Sequence, residues 1–219
     1  MAKLVWDKLS ERFYETGVKQ AVLYPMVGDE YPHGVAWNGL TAFNESPSGA
    51  EPTPLYANDT KYLTLMSVEE YAYTIEAYTY PEEFEECEGS VQIAKGVRIG
   101  QQNRKPFGFC CKTTIGNDTK GTSYGYKLHI AYNGLASPTE RAYSTISDNP
   151  EPDPFSWEVN TTPVAVTGGK PTASVTIDST KVDGDKLKEL EAILYGSDEE
   201  EARLPLPDEI AEIFGQITV

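Results

Sequence analysis

The sequence predicts a mainly β protein, an antiparallel β-sandwich or barrel flanked by one or two short helices, with an extended loop and terminal arms. Three observations carry this expectation. Alternating apolar and polar residues recur along the 219-residue chain. Those runs are rich in aromatic and β-branched residues, which suit a pleated, half-buried surface. Helix-period patterns are confined to a few short stretches.

The first strand signal is Val35 and Trp37 with Gly39 through Phe43. A proline-rich stretch, Asn44 to Asp59, follows with Pro47, Pro52 and Pro54; we expect a long functional loop that is neither helix nor central strand. Tyr71, Tyr73, Ile75 and Ala77 then alternate with polar neighbours. Pro81 to Cys87 opens on proline and carries early acids, the signature of a short helix. Phe107 to Ile115 is strand-like, and Gly116-Asn117-Asp118 is a turn. Tyr124, Tyr126, Leu128, Ile130 and Tyr132 alternate with Gly125, Lys127, His129, Ala131 and Asn133, predicting one apolar and one polar face. Pro150 to Pro154 joins this strand to Phe155, Trp157 and Val159. Gly168-Gly169 marks a hairpin before Ala173, Val175 and Ile177. Asp183 caps a helix through Leu187, Leu190, Ile193 and Leu194, closed by Gly196. Asp198 to Glu201 is a solvated acidic loop, and Pro207 to Phe214 a last helix.

One domain of 219 residues is expected, large enough for a core without disulfides. Lys and Arg number 18 against 34 Asp and Glu, a net charge of −16. The acid is spread through the body: residues 1–110 carry −7 and residues 111–219 carry −9. That balance argues against nucleic-acid binding and against anionic membranes. No apolar leader or spanning stretch stands out, so we expect a chain made in the cytoplasm, with no membrane partner. Cys87, Cys110 and Cys111 lack metal-type spacing and read as reduced structural thiols.

Catalytic chemistry finds little footing. His33 and His129 are the only histidines, and no His-Cys-Asp set has metal spacing, so no metal or cofactor is expected. Asp183-Gly184-Asp185 lacks the rest of a calcium loop and suits helix capping. Gly168-Gly169-Lys170 has Pro163 where a phosphate loop needs glycine. Glu70 with Glu76, or Glu140 with Glu158, are pairs that in principle flank a sugar, but no spacing singles them out. We expect no enzyme. Four Asn-x-Ser/Thr sites, at Asn44, Asn58, Asn117 and Asn160, read as chance without a secretion signal. Fourteen tyrosines suit strand and core packing, or an interface or sugar-binding face.

Taken whole, the sequence resembles the major tail (tail tube) proteins of long-tailed bacteriophages and prophages of Gram-positive bacteria. The segments that carry the resemblance begin with Tyr14 to Val18, Ala21 to Pro25 and Gly34 to Leu40. Glu45 to Glu51, Leu55 to Leu63, Thr74 to Pro81 and Ile99 to Gln102 follow. Phe155 to Val159, Pro163 to Thr167, Ile177 to Lys181, Leu190 to Gly196 and Leu204 to Asp208 complete the set. The resemblance implies a virion structural protein whose copies close into hexameric rings. The rings stack into a tube around a tape-measure protein, between tail initiator (distal tail) and tail terminator proteins, and the lumen conducts DNA during ejection without binding it specifically.

On that expectation, the N-terminal segment 1–17, the loop 44–59 and Gln216 to Val219 are inter-subunit arms. Glu45, Glu51, Pro52, Pro54, Tyr56 and Asp59 are candidates for ring stacking. Thr74, Glu76, Lys127, His129 and Asn133, on polar strand faces, are candidates for the lumen wall. Six copies carry six times −16, or −96, and an acidic lumen would let phosphates slide. Two alternatives remain: a carbohydrate-binding sandwich module of a tail, and the tube protein of a contractile tail or injection system.

Overall fold

The computed structural model describes residues 3–143, 145 and 152–215. Antiparallel strands dominate them. In order they are β1 (Phe13–Pro25), β2 (Val35–Trp37), β3 (Leu40–Glu45), β4 (Ser48–Gly49), β5 (Pro52–Ala57), β6 (Thr60–Met66), β7 (Glu69–Glu70) and β8 (Ala72–Ala77). After helix α1 (Phe84–Cys87) come β9 (Val91–Ala94), β10 (Val97–Ile99), β11 (Phe107–Asn117), β12 (Gly121–Ala136), β13 (Phe155–Thr161) and β14 (Ser174–Asp178). Helices α2 (Gly184–Tyr195) and α3 (Pro207–Phe214) close the chain. The expected β class with few helices is therefore observed.

Eight strands form one sheet in the order β2-β1-β11-β12-β13-β8-β3, with β14 on β12. The long strand β12 pairs β14 over Lys127 to Ala131 and β13 over Gly134 to Ala136. It thus hands the sheet from one partner to another. Phe43 on β3 and Phe109 on β11 lie four places apart in the strand order, yet their ring centroids are 5.5 Å apart. Trp37 on β2 and Trp157 on β13 are likewise four places apart and 5.5 Å ring to ring. In a flat sheet four places span about 19 Å. The sheet therefore curls until its two ends share one interior. Bulges help the curl: β1 slips register at Gly17, whose positive φ of 67° favours glycine, and again between Lys19 and Val22.

Two cores result, one on each face of the central strands. The inner core holds Leu23, Trp37, Tyr73, Ile75, Phe84, Phe107, Phe109, Trp157 and Val159. The outer core holds Tyr24, Cys110, Leu128, Ile130 and Tyr132, covered by Leu187, Leu190 and Leu194 of α2 and Ile210 of α3. The adjacent Cys110 and Cys111 point into opposite cores, as strand alternation demands. The expectation that β12 shows one face to water is corrected here. Both faces of its middle are covered, because the sheet folds over one and the helices over the other.

Helix α2 starts where Asp183 accepts from the backbone N–H groups of Asp185 and Lys186, and stops at Gly196 with φ of 80°. Lys112, almost wholly buried on β11, ties this helix to the sheet. Its Nζ lies 2.6 Å from Glu191 Oε1 and over the rings of Tyr126 and Tyr195.

Two further expectations are corrected. The stretch 44–59 is not a loop. Asn44 and Glu45 end β3, and Pro52–Ala57 is strand β5, which pairs β6 as a hairpin. Prolines are tolerated because this hairpin has only two strands and hence two open edges. The arm 1–17 is also shorter than expected: Phe13 to Gly17 belong to β1, whose residues from Phe13 to Thr16 pair Asn117 to Thr114 of β11. Of the short connection 150–154, Pro150 and Glu151 lie outside the described residues, as do Met1, Ala2 and Gln216 to Val219.

Candidate assembly surfaces

Strands β3, β8 and β13 turn one face to the inner core and the other outward. Register sets Asn44, Thr74 and Glu158 in one row, and Ala42, Glu76 and Ser156 in the next. Asn160 stands beside them on β13. Their inward neighbours Tyr73, Ile75, Trp157 and Val159 are buried, so alternation fixes the polar set outside. Glu76 accepts a long hydrogen bond from Asn44 Nδ2, at 3.5 Å. This face therefore presents two carboxylates among amides and hydroxyls, with no cation in the two rows.

The five residues proposed for the lumen do not share a surface. Thr74 and Glu76 lie on the outward face just described. Lys127 and His129 project toward the interior side of β12, because their cross-strand partners are Thr113 and the inner-core Cys111. Asn133 sits at a left-handed position (φ 47°) where β12 changes partner, and its backbone N–H donates to Tyr31 Oη. Alternation sets Thr74 with Glu76, and Lys127 with His129, on one side of their strands. It gave no information on which sides the curled sheet encloses.

His129 is the centre of a polar node between β12, β11 and β3. Its side chain is 11% exposed. Nε2 lies 2.9 Å from Thr113 Oγ1, while Nδ1 is buried, without a hydrogen-bond partner among the described residues, and 3.9 Å from Glu45 Oε1. Burial lowers the imidazole pKa below its usual value, the Glu45 carboxylate opposes that, and Lys127 adds to it. Lys127 itself pairs with Glu15 of β1. Glu45 also accepts from Tyr71 Oη at 2.7 Å. So Glu45, one of the ring-stacking candidates, points into this node rather than toward a neighbour.

The other stacking candidates are on the projecting segment between Glu45 and Tyr71. Short strands β4 and β7 pair at its base, where Gly49 (φ 79°) sits so close to Val68 O that a Cβ would lie 2.1 Å away. Beyond the base, β5 and β6 form a hairpin closed by Asn58 and Asp59, both at positive φ, as a type I′ turn requires. Glu51, Pro52, Pro54, Tyr56 and Asp59 are all exposed, with Tyr56 71% open. Leu55, Tyr62, Leu63, Leu65, Met66 and Val68 are exposed beside them.

Two more projections share this character. The hairpin β9–β10 exposes Val91, Ile93, Val97 and Ile99. The N-terminal segment exposes Leu4, Val5, Trp6 and Leu9. That segment is anchored at one point: Ser10 N–H donates to Asp118, Asn117 Nδ2 donates to Ser10 O, and Asp118 N–H donates to Arg12 O. Sequence reasoning missed the hairpins. The signals were present in Asn58-Asp59 between Leu55 and Leu63, and in Lys95-Gly96 between Ile93 and Val97.

Among the described residues no group of three or more His, Cys, Asp or Glu side chains is placed to hold a metal ion, and no helix is long and apolar enough to cross a membrane. No protein-family profile matches the chain, and no curated protein matches it.

Proposed function

We propose that the chain is a structural subunit that self-associates into closed rings stacked as a tube, in the manner of the tail tube of a long-tailed bacteriophage. One observation carries the reading. Three projections, the β5–β6 hairpin above all, hold large apolar side chains in water. An isolated two-stranded hairpin is marginally stable on its own, and exposed apolar patches mark interaction sites. Copies of the same chain are the natural cover, since a heterologous contact that closes gives a ring. Joining sheets between copies would also protect the open edges of β2, β3 and β14.

In this reading the outward face with Thr74, Glu76, Glu158 and Asn160 is the wall of the lumen. Its carboxylates repel phosphates over about 8 Å at physiological salt, so a genome slides past without sticking. Lys127, His129 and Asn133 hold the subunit together instead. The partners would be the subunit itself, tape-measure, tail initiator and tail terminator proteins, and the location a virion. The test is negative-stain microscopy over rising concentration, alone and co-expressed with initiator and tape-measure proteins. Rings with sixfold views are expected. A persistent monomer under both conditions overturns the reading.

A further inference from the structure

The N-terminal segment and a largely apolar cleft lie far apart on the subunit. The cleft, about 760 Å³, is formed where the base of the projecting hairpin meets the loop before β14. Met66, Val68, Tyr71, Pro163 and Pro171 give it apolar walls, with Glu69 and Lys170 in its lining. Val68 is 82% exposed and Trp6 is 75% exposed, so neither is covered by the described residues of its own chain.

Their separation follows from register. The N-terminal segment is pinned at Ser10 to the β11–β12 turn, next to Gly121. The cleft lies beside Ala131, which pairs Ser174, and Asn133, whose carbonyl accepts from Thr162 N–H. Ten residues of β12 separate Gly121 from Ala131, about 33 Å at strand rise. From Ser10 to Leu4 the chain reaches at most about 22 Å. The segment cannot fill the cleft of its own chain. It can fill that of a second copy, head to tail.

We propose that the Leu4–Trp6 segment of one copy docks in the Met66/Val68/Pro171 cleft of the next. This rests on the self-association reading and names the contact that makes it repeat. Charge complements the contact: Asp7, just beyond Trp6, would meet a rim holding Lys170. The geometry is heterologous, so each docked pair keeps one free cleft at one end and one free segment at the other, and further copies can add.

The test is a disulfide trap. A tagged copy carrying Val5→Cys is mixed with an untagged copy carrying Pro171→Cys under mild oxidation. Cys87, Cys110 and Cys111 are buried, and burial pushes the Cys87 and Cys110 thiols up to about 12, so native thiols stay silent. A tagged–untagged crosslinked dimer is expected, lost when Trp6→Ala is added to the first copy or Val68→Asp to the second. Both changes are at exposed positions, and unchanged thermal melting verifies the fold. No crosslink, or one that survives both substitutions, overturns the docking. Sedimentation of the same samples separates the two claims. Large assemblies without the crosslink sink the docking and leave the tube reading standing; monomers throughout sink both.

Discussion

At the scale of single residues, two buried polar groups set measurable behaviour. Lys112 is desolvated between the sheet and α2, with Glu191 as its counter-charge. Removing one member of a buried pair strands the other, and that costs more than the pair contributes. We expect Glu191→Ala to lower unfolding free energy by about 3 kcal/mol in urea denaturation, and Lys112→Met by less, because the Glu191 left behind is more exposed than Lys112 and keeps the hydrogen bond that Tyr126 Oη donates to it. His129 gives the pH dependence. Its pKa is lowered in the folded state, so the unfolded chain binds the proton first as pH falls. Stability from this group is complete above the ordinary histidine pKa of 6.5 and is lost as pH drops through the lower folded value. Urea midpoints at pH 8 and pH 5 should therefore converge more closely in His129→Gln than in the parent. An equal pH slope in both would contradict the placement of Nδ1. Neither group was legible as such. Alternation put Lys127 and His129 on the polar side of a strand, but the side of β12 they occupy is covered by β3 and by Glu45, residues about 80 positions earlier.

At the scale of elements, the contrast between α2 and the β5–β6 hairpin is instructive. Helix α2 was readable from Asp183 to Gly196 because its cap, apolar stripe and stop are all local. Its stripe is tertiary in effect: Leu190→Ala should cost about 2–5 kcal/mol, since the side chain is fully buried in the outer core. The hairpin was hidden by its prolines, which exclude a central strand but not a strand with a free edge. Its apolar residues do little for the fold of one chain. Leu55→Asp with Leu63→Asp should leave the melting temperature nearly unchanged, because surface changes rarely exceed about 0.5 kcal/mol each. The same pair should abolish assemblies in sedimentation. At its base, Gly49→Val meets both a left-handed backbone and the Val68 carbonyl. It should cause protease nicking between Glu45 and Tyr71 while the core melts as before.

At the scale of the whole molecule, charge opposes association. Each copy carries −16, and bringing copies together concentrates it. Added salt shortens the reach of that repulsion from about 8 Å to about 3 Å between 0.15 M and 1 M. Apolar contacts between projections are not weakened by the same change. Assembly should therefore increase with sodium chloride, read as the concentration at which rings or larger species appear. Assembly that falls with salt would mean that ion pairs, rather than apolar cover, hold the copies together.

The β class, the strand faces and the capped helix are legible in the chain because each depends on neighbours within a few residues, and the acidic balance is a matter of composition. Which faces are enclosed is set by the closure of the sheet. Curling brings Phe43 against Phe109 and Trp37 against Trp157, and so turns the polar side of β12 into an interior while leaving that of β8 outside. It also leaves the segments 3–9 and 50–69 exposed, with the first tied to the body at Ser10. Local patterning is blind to both, since closure of a sheet is set by contacts between residues far apart in the chain.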